Sequence, residues 1–298
     1  MFVKKVVNIN RNAPFWFICS IYLTEFYYYL VDFINSFVFV LLLCANIIFL
    51  LIFNSKIWKI PLLERPALIS LILSVFFLVF DFPLVLLDTY QYAITSYSEP
   101  EEIIEDTGIY SLGVNLTYIS YIENEEEFIK NVKSDKNNYE VIDIKNKNRY
   151  KNKNTEIFNM MGIQLKSDFE KMSKVVTDYL HSTPSSIKKY FDRENTGGNS
   201  SGLSLILSSL VYQGKLENNK PIAVTGAVNK EGKVYPVGYI KEKILISIDA
   251  GFNQIIIPTE NMQEAKEIKE AYDLPIEVIG VHDVDEAVEL IKELNDNY

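Results

Sequence analysis

Ile34 to Phe53 is a nearly unbroken apolar run, and Ala67 to Leu87 is a second, interrupted only by Asp81 and Pro83. Each is long enough to cross a hydrocarbon core of about 30 Å as a helix rising about 1.5 Å per residue. Phe15 to Val31 is a weaker third candidate, because Thr24 and Glu25 stand among its aromatic residues. It either spans or lies in the interface with its rings at headgroup depth, and three spans is the preferred count. No short apolar stretch ends in a small-residue cleavage site, so these runs read as an anchor and not as a removable signal. Lys56, Lys59 and Arg65 lie between the two strong runs, which predicts a cytoplasmic loop there; Lys4, Lys5 and Arg11 agree if the first run also spans. Glu99, Glu101, Glu102, Glu105 and Asp106 follow the last run, so the rest of the chain is expected outside the cytoplasm.

Beyond residue 88 apolar and charged residues alternate as they do in a water-soluble domain. Ile109 to Ile122 predicts one or two strands with Gly113 at a turn. Asn131 to Asn154 is rich in Lys and Asn around a short strand, Tyr139 to Ile144, and its basic run of Lys145, Lys147, Arg149, Lys151 and Lys153 reads as a solvated loop in preference to a lipid contact. Phe169, Met172, Val175, Val176 and Leu180 recur at helical spacing behind Ser167, a capping residue. The order then becomes regular. The pattern predicts a helix over Leu203 to Tyr212, strands over Ile222 to Val228 and Val234 to Val237 joined through Glu231 and Gly232, and a helix over Ile240 to Ala250. A buried strand Gln254 to Ile257, a helix Met262 to Tyr272, a strand Ile276 to Val281 and a helix Val284 to Leu294 complete an α/β or α+β domain.

Charge separates the two parts. Residues 1–88 sum to +1, which leaves −11 on the remainder of a chain whose net charge is −10. An acidic soluble part makes a poor phosphate-binding face, which argues against nucleic acid as a partner. Both cysteines, Cys19 and Cys44, lie in the apolar part, and the two histidines, His181 and His282, show no metal-ligand spacing. Zinc hydrolysis is therefore disfavoured, and neither a metal nor another cofactor is expected. Gly226 to Lys233 has the look of a phosphate loop, but its spacing is one too long and Val234 stands where Ser or Thr is required.

The candidate chemistry lies in two places. Gly197-Gly198-Asn199-Ser200-Ser201-Gly202 sets Ser200 where a loop turns into an apolar helix, and free N–H groups at a helix start can receive an oxyanion. The flanking glycines let a substrate backbone approach; an ordinary capping serine explains the same string equally well. Farther on, Lys241 and Lys243 open another helix, and an amine among Ile240, Ile244 and Leu245 can lose its charge to burial and serve as the base for a serine. Position alone does not choose between the two lysines, and a snorkelling surface lysine is the plain alternative for either.

From about Thr196 to Leu290 the chain resembles the proteolytic domain of Lon-type serine peptidases, whose nucleophile motif reads Gly-Pro-Ser-Ala-Gly. Gly198-Asn199-Ser200-Ser201-Gly202 matches it, Ala223-Val224-Thr225-Gly226 matches the family's Thr-Gly strand, and Gly232 to Lys243 matches its lysine segment. Ala250-Gly251, Ile255 to Pro258 and Asn261 continue the likeness. The resemblance implies Ser200 as nucleophile, Lys243 as general base and Thr225 as a hydrogen-bonding support. It is nearest to membrane-anchored bacterial forms without an ATPase domain, and residues 155–181 resemble the helical segment those forms place before the catalytic loop. Asn199 replaces the proline, Ser201 adds a second hydroxyl beside the nucleophile, and Tyr239 replaces a glycine.

The resulting expectation is an α+β (α/β-like) Lon proteolytic domain preceded by two or three transmembrane helices. Residues 1–91 form the anchor, with spans at about 15–31, 34–53 and 67–87; residues 92–154 form a linker with the first strands; residues 155–298 form the proteolytic domain. The expected activity is ATP-independent serine endopeptidase cleavage of flexible or unfolded polypeptides on the extracytoplasmic side of a cell membrane. Ser200 and Lys243 would be catalytic, and Thr225, Gly198, Asn199, Ser201 and Gly202 supporting. The expected partners are a polypeptide substrate, the lipid bilayer and further copies of the chain in a ring, often of six in the family it resembles. The alternative is a catalytically inactive Lon-like protein that binds peptides or partner proteins. A lipid acyl hydrolase is a third class, disfavoured because no persuasive histidine partner is present: His181 precedes the serine and His282 opens a terminal helix.

Overall fold

A computed structural model describes residues 13–57 and 64–296, apart from 121, 123, 136, 162–165 and 195. Lys4, Lys5, Arg11 and Lys59, which bear on the predicted orientation, lie outside the described residues. In chain order the elements are helices α1 (Ala13–Leu30), α2 (Ser36–Ile57), α3 (Glu64–Asp81) and α4 (Leu84–Leu87), strands β1 (Tyr92–Ser96), β2 (Ile109–Ser111) and β3 (Asn115–Ile119), helix α5 (Glu125–Ser134), strand β4 (Asn138–Asp143), and helices α6 (Asn146–Met160), α7 (Asp168–Leu180), α8 (Ser185–Phe191) and α9 (Gly202–Tyr212). Strands β5 (Ile222–Val224), β6 (Ala227–Val228) and β7 (Val234–Tyr235), helix α10 (Ile240–Asp249), strand β8 (Gln254–Pro258), helix α11 (Met262–Tyr272), strand β9 (Glu277–Val281) and helix α12 (Val284–Asp296) follow. The chain forms two compact units, one of residues 1–93, 118–123 and 142–165, the other of residues 94–117, 124–141 and 166–298.

The first unit is built from α1 to α4 and α6; it turns large apolar side chains outward around an interior that mixes an apolar cluster of Tyr29, Phe39, Leu43 and Leu84 with buried polar groups. Trp16, Leu23, Phe33, Ile52, Ile72 and Val79 are between 61 % and 75 % exposed, whereas Ser36, Ser70, Ser74 and Asp81 are buried. Asp81 accepts hydrogen bonds from the Tyr22 hydroxyl at 2.9 Å and from Lys153 Nζ at 2.5 Å, and Lys153 Nζ lies 3.5 Å from the centroid of the Phe80 ring. Among the described residues one helical stretch, Arg65–Leu87, is long and apolar enough to cross a membrane, and only 28 % of its apolar window is buried within the protein, unlike a soluble core helix. Ser36–Ile52 is a shorter apolar helix. The Lys-rich and Asn-rich run read as a solvated loop is instead α6. Its sequence hid this because the helix is seated by Lys153 neutralised on Asp81 and by Asn146 donating to the carbonyls of Tyr29 and Ile34, not by an apolar stripe.

The second unit holds a four-stranded parallel sheet in the order β2-β5-β8-β9. Both faces are covered, so its strands read as continuous apolar runs. Ile222, Val224 and Ile256 point into a core with Phe169, Met172 and Val176 of α7, Leu203 and Leu207 of α9 and Ile291 of α12. Ala223, Ile255 and Ile257 point the other way, onto Ile240 and Ile244 of α10 and Ala265 of α11. Each isoleucine removed from water in this way contributes about 2 kcal/mol. The segment predicted as one strand, Ile222 to Val228, breaks after Val224: β6 leaves the parallel sheet and pairs antiparallel with β7. Thr225 and Gly226 occupy the break.

Candidate active site

The helix α9 has fully buried Leu203, Leu205, Ile206 and Leu207, and this packing fixes where the loop before it must end. Gly198 takes a left-handed conformation, φ +78°, which a glycine adopts without strain. Asn199 is exposed and Ser200 half-buried. The Ser200 carbonyl accepts from the Gly226 N–H at 2.7 Å and from Thr225 Oγ1 at 3.2 Å, while the Leu203 N–H donates to the Gly226 carbonyl at 3.0 Å. The serine loop is thereby docked onto the break just past the carboxyl end of β5, the end of a parallel sheet where ligands bind. Gly226 is closely approached: a Cβ there would lie 3.1 Å from Val234 Cγ1 and 3.2 Å from Leu203 Cβ, so these neighbours would have to give way by a few tenths of an ångström. Gly202 sits close to the same break, since its Cβ would meet the Val228 nitrogen at 3.4 Å.

Lys243 lies in the first turns of α10 with only 3 % of its surface exposed, and its Nζ donates to Thr225 Oγ1 at 3.0 Å. Burial lowers its pKa to about 8, because desolvation penalises the ammonium; Glu242 and Glu264 act in the opposite direction. Lys241 points elsewhere, 3.7 Å from a carboxylate oxygen of Glu140 and over the Tyr272 ring at 5.0 Å. Geometry thus separates two lysines that spacing alone left equivalent. Thr225, fully buried, bridges the Lys243 amine and the backbone of Ser200.

Ser201 is also buried, and its Oγ accepts a hydrogen bond from the Tyr190 hydroxyl at 3.1 Å. The Ser200 hydroxyl has no hydrogen-bond partner among the described residues. The helix-start N–H groups expected to be free are partly committed: Gly202 donates to the Asn199 carbonyl at 3.3 Å and Leu203 to Gly226. Those of Ser200 and Ser201 have no acceptor among the described residues. Tyr239 caps α10 in a left-handed conformation, φ 61° and ψ 40°, which explains physically why glycine suits this position; a residue with a Cβ is strained there by about 1–2 kcal/mol.

Asn261 was given no role by sequence reasoning. Its Oδ1 accepts from the Val237 N–H at 2.9 Å and its Nδ2 donates to the Val237 carbonyl at 3.1 Å, which fastens the loop leading into α10. An asparagine just after a strand-ending proline reads as an ordinary turn, so no local signal marked it.

Residues 194–293 match the family model for the Lon protease (S16) C-terminal proteolytic domain. The Lon protease of Trichlorobacter lovleyi is 32 % identical over 96 residues, covering 32 % of this chain and 12 % of that protein. The Lon protease of Flavobacterium johnsoniae is 42 % identical over 96 residues, 32 % of this chain and 11 % of that protein. That of Rickettsia bellii is 32 % identical over 92 residues, 31 % and 12 % of the two chains. The chain therefore spans only about an eighth of the length of these relatives, and the matched part is the one that holds Ser200, Thr225 and Lys243.

Proposed function

We propose that the second unit is a serine endopeptidase in which Ser200 is the nucleophile and Lys243 the general base. The observation that carries this reading is the buried Lys243 amine, with a pKa of about 8, one threonine hydroxyl away from the Ser200 backbone. The Ser200 side chain, without a hydrogen-bond partner among the described residues, turns onto Nζ and gives up its proton; Oγ then attacks the peptide carbonyl. The oxyanion is received by the N–H groups of Ser200 and Ser201. The leaving amine takes its proton from the Lys243 ammonium, and a water deprotonated by the same amine hydrolyses the acyl ester. The test is cleavage of a fluorogenic casein by the full chain in detergent micelles beside its Ser200→Ala variant. Loss of cleavage in the variant is expected, and equal cleavage would refute the assignment.

One observation favours a second reading, a peptide-binding protein without catalysis: Lys243 Nζ bonds Thr225 and not Ser200. Wild-type protein that binds casein but never releases new peptide termini would select that reading.

The first unit is proposed to be a membrane anchor with spans at about 15–31, 34–53 and 67–87, and the second unit to work outside the cytoplasm without ATP, on flexible or unfolded polypeptides, as a ring of copies. The support is the extensive exposed apolar surface of α1 to α3, which water does not tolerate and lipid does. An exposed Lys215→Cys variant is expected to react with a membrane-impermeant maleimide on intact cells; labelling only after lysis would reverse the orientation.

A further inference from the structure

Ser201 is a departure from the alanine of the Lon-type motif, and the structure gives its hydroxyl a partner. Tyr190, on α8, is buried and donates to Ser201 Oγ at 3.1 Å. The ring is held on several sides. The Arg193 guanidinium lies 4.7 Å from its centroid, and the rings of Phe169 and Phe191 lie at 5.6 Å and 6.3 Å. Arg193 is itself fixed by a two-point ion pair with Glu101, at 2.6 Å and 2.5 Å. Glu101 in turn exchanges two backbone hydrogen bonds with Ser111 of β2, so the series ends on the sheet. Burial pushes the Tyr190 hydroxyl pKa up, which favours the protonated, donating form.

The segment entering Ser200 needs such a tie. It contains Gly197 and Gly198, and Asn199 stands where a proline would have restricted the backbone. Arg193 secures the segment before the glycines; the Ser200 carbonyl and the Ser201 hydroxyl secure it after them.

Building on the peptidase assignment, we infer that Tyr190 is a positioning residue for the reaction, which holds Ser201, and through it Ser200, in register with the Thr225 and Lys243 pair by the hydrogen bond to the Ser201 hydroxyl. Tyr190 is buried beneath the serine loop, 8 % exposed, so its loss is expected to act on the chemical step and not on binding.

The test compares the full chain in detergent with Tyr190→Phe, Ser201→Ala and the double variant. Kinetics on a fluorogenic peptide and backbone amide exchange over residues 196–202 are measured on each. Tyr190→Phe is expected to lower kcat about tenfold at unchanged KM and to speed exchange in the serine loop about tenfold, with exchange in β8 unaltered, because one buried hydrogen bond is lost. Ser201→Ala is expected to do the same, and the double variant no more than either alone. A lowered thermal midpoint with kcat and loop exchange unchanged would overturn the inference by making Tyr190 purely structural. Additive losses in the double variant would also overturn it. If the wild type shows no Ser200-dependent cleavage, the peptidase assignment falls and a catalytic role for Tyr190 falls with it; the exchange data then report separately whether the tie exists.

Discussion

The pH dependence of cleavage follows from the surroundings of Lys243. With a pKa of about 8, about 9 % of the protein carries a neutral amine at pH 7 and about 90 % at pH 9, so kcat/KM is expected to rise about tenfold between those values and level off above. A solvent-exposed lysine at the ordinary 10.5 would give a rise of about a hundredfold over the same interval, with no levelling. The assay is kcat/KM on a fluorogenic peptide at constant ionic strength from pH 6 to pH 10, with Lys243→Arg as an inactive control because its guanidinium does not deprotonate. A log–log slope of 1 that continues through pH 9 would refute the claim that burial tunes this amine.

The same shift fixes a stability effect whose sign is checkable. Folding lowers the pKa of Lys243, so between about 8 and 10.5 the unfolded chain binds more protons than the folded one, and stability rises with pH across that window. Below pH 8 the burial penalty is complete, about 3 kcal/mol on this pKa difference. Lys243→Met, inactive, is therefore expected to be more stable than wild type at pH 7 and to lose that advantage by about pH 10.5.

Further predictions bear on the groups around this pair. Thr225→Val keeps the shape but removes the acceptor for Lys243 and the donor to Ser200; a loss of about 1–3 kcal/mol in stability and at least a tenfold fall in kcat are expected, read by thermal unfolding and steady-state kinetics. Gly226→Ala forces a Cβ to 3.1–3.2 Å from Val234 and Leu203, costing about 1–3 kcal/mol and displacing the Ser200 loop, which slows labelling by a serine-directed phosphonate. Asn261→Ala releases both Val237 bonds and is expected to lower kcat with KM nearly unchanged. In the first unit, Asp81→Ala leaves Lys153 buried without its partner, a loss of about 3–5 kcal/mol in detergent, which the paired change Asp81→Leu with Lys153→Met is expected to recover in large part.

Much of the second unit was legible because its sheet is covered on both faces. Ile255 to Ile257 and Leu203 to Leu207 announce themselves as apolar runs of strand and helix length, and the predicted bounds of α11 are those observed. What was hidden depends on partners distant in sequence. Helix α6 could not be read from a Lys and Asn run, because Asp81, which neutralises Lys153, is 72 positions away. Ser200 and Lys243 were visible as types in suggestive settings; spacing left Lys241 and Lys243 equivalent, the family resemblance chose Lys243, and its contact with Thr225 supplies the physical reason. Tyr190 left no trace, and Asn261 continued the family likeness without a role, since a buried hydroxyl and a turn amide acquire meaning only from what they touch.

The break in the strand after Val224 is the structural event on which the site depends. Ile222 to Val228 is apolar enough to continue as one strand, and the parallel register with β8 is carried one step further by the Thr225 N–H donating to the Ile256 carbonyl at 3.0 Å. Continuation would direct the Gly226 N–H into the sheet ladder and leave the Ser200 carbonyl without its shortest bond. The chain departs at Gly226 because the absent side chain lets Leu203 of α9 and Val234 of β7 close over it, and that departure turns the Gly226 N–H and the Thr225 hydroxyl toward the serine loop. The threonine, having donated its proton to the Ser200 carbonyl, keeps its oxygen free to accept from α10, and the buried Lys243 amine is the donor that meets it. A buried lysine with a single neutral acceptor is poorly compensated as a cation, so the geometry that docks the serine loop also lowers the pKa of the amine.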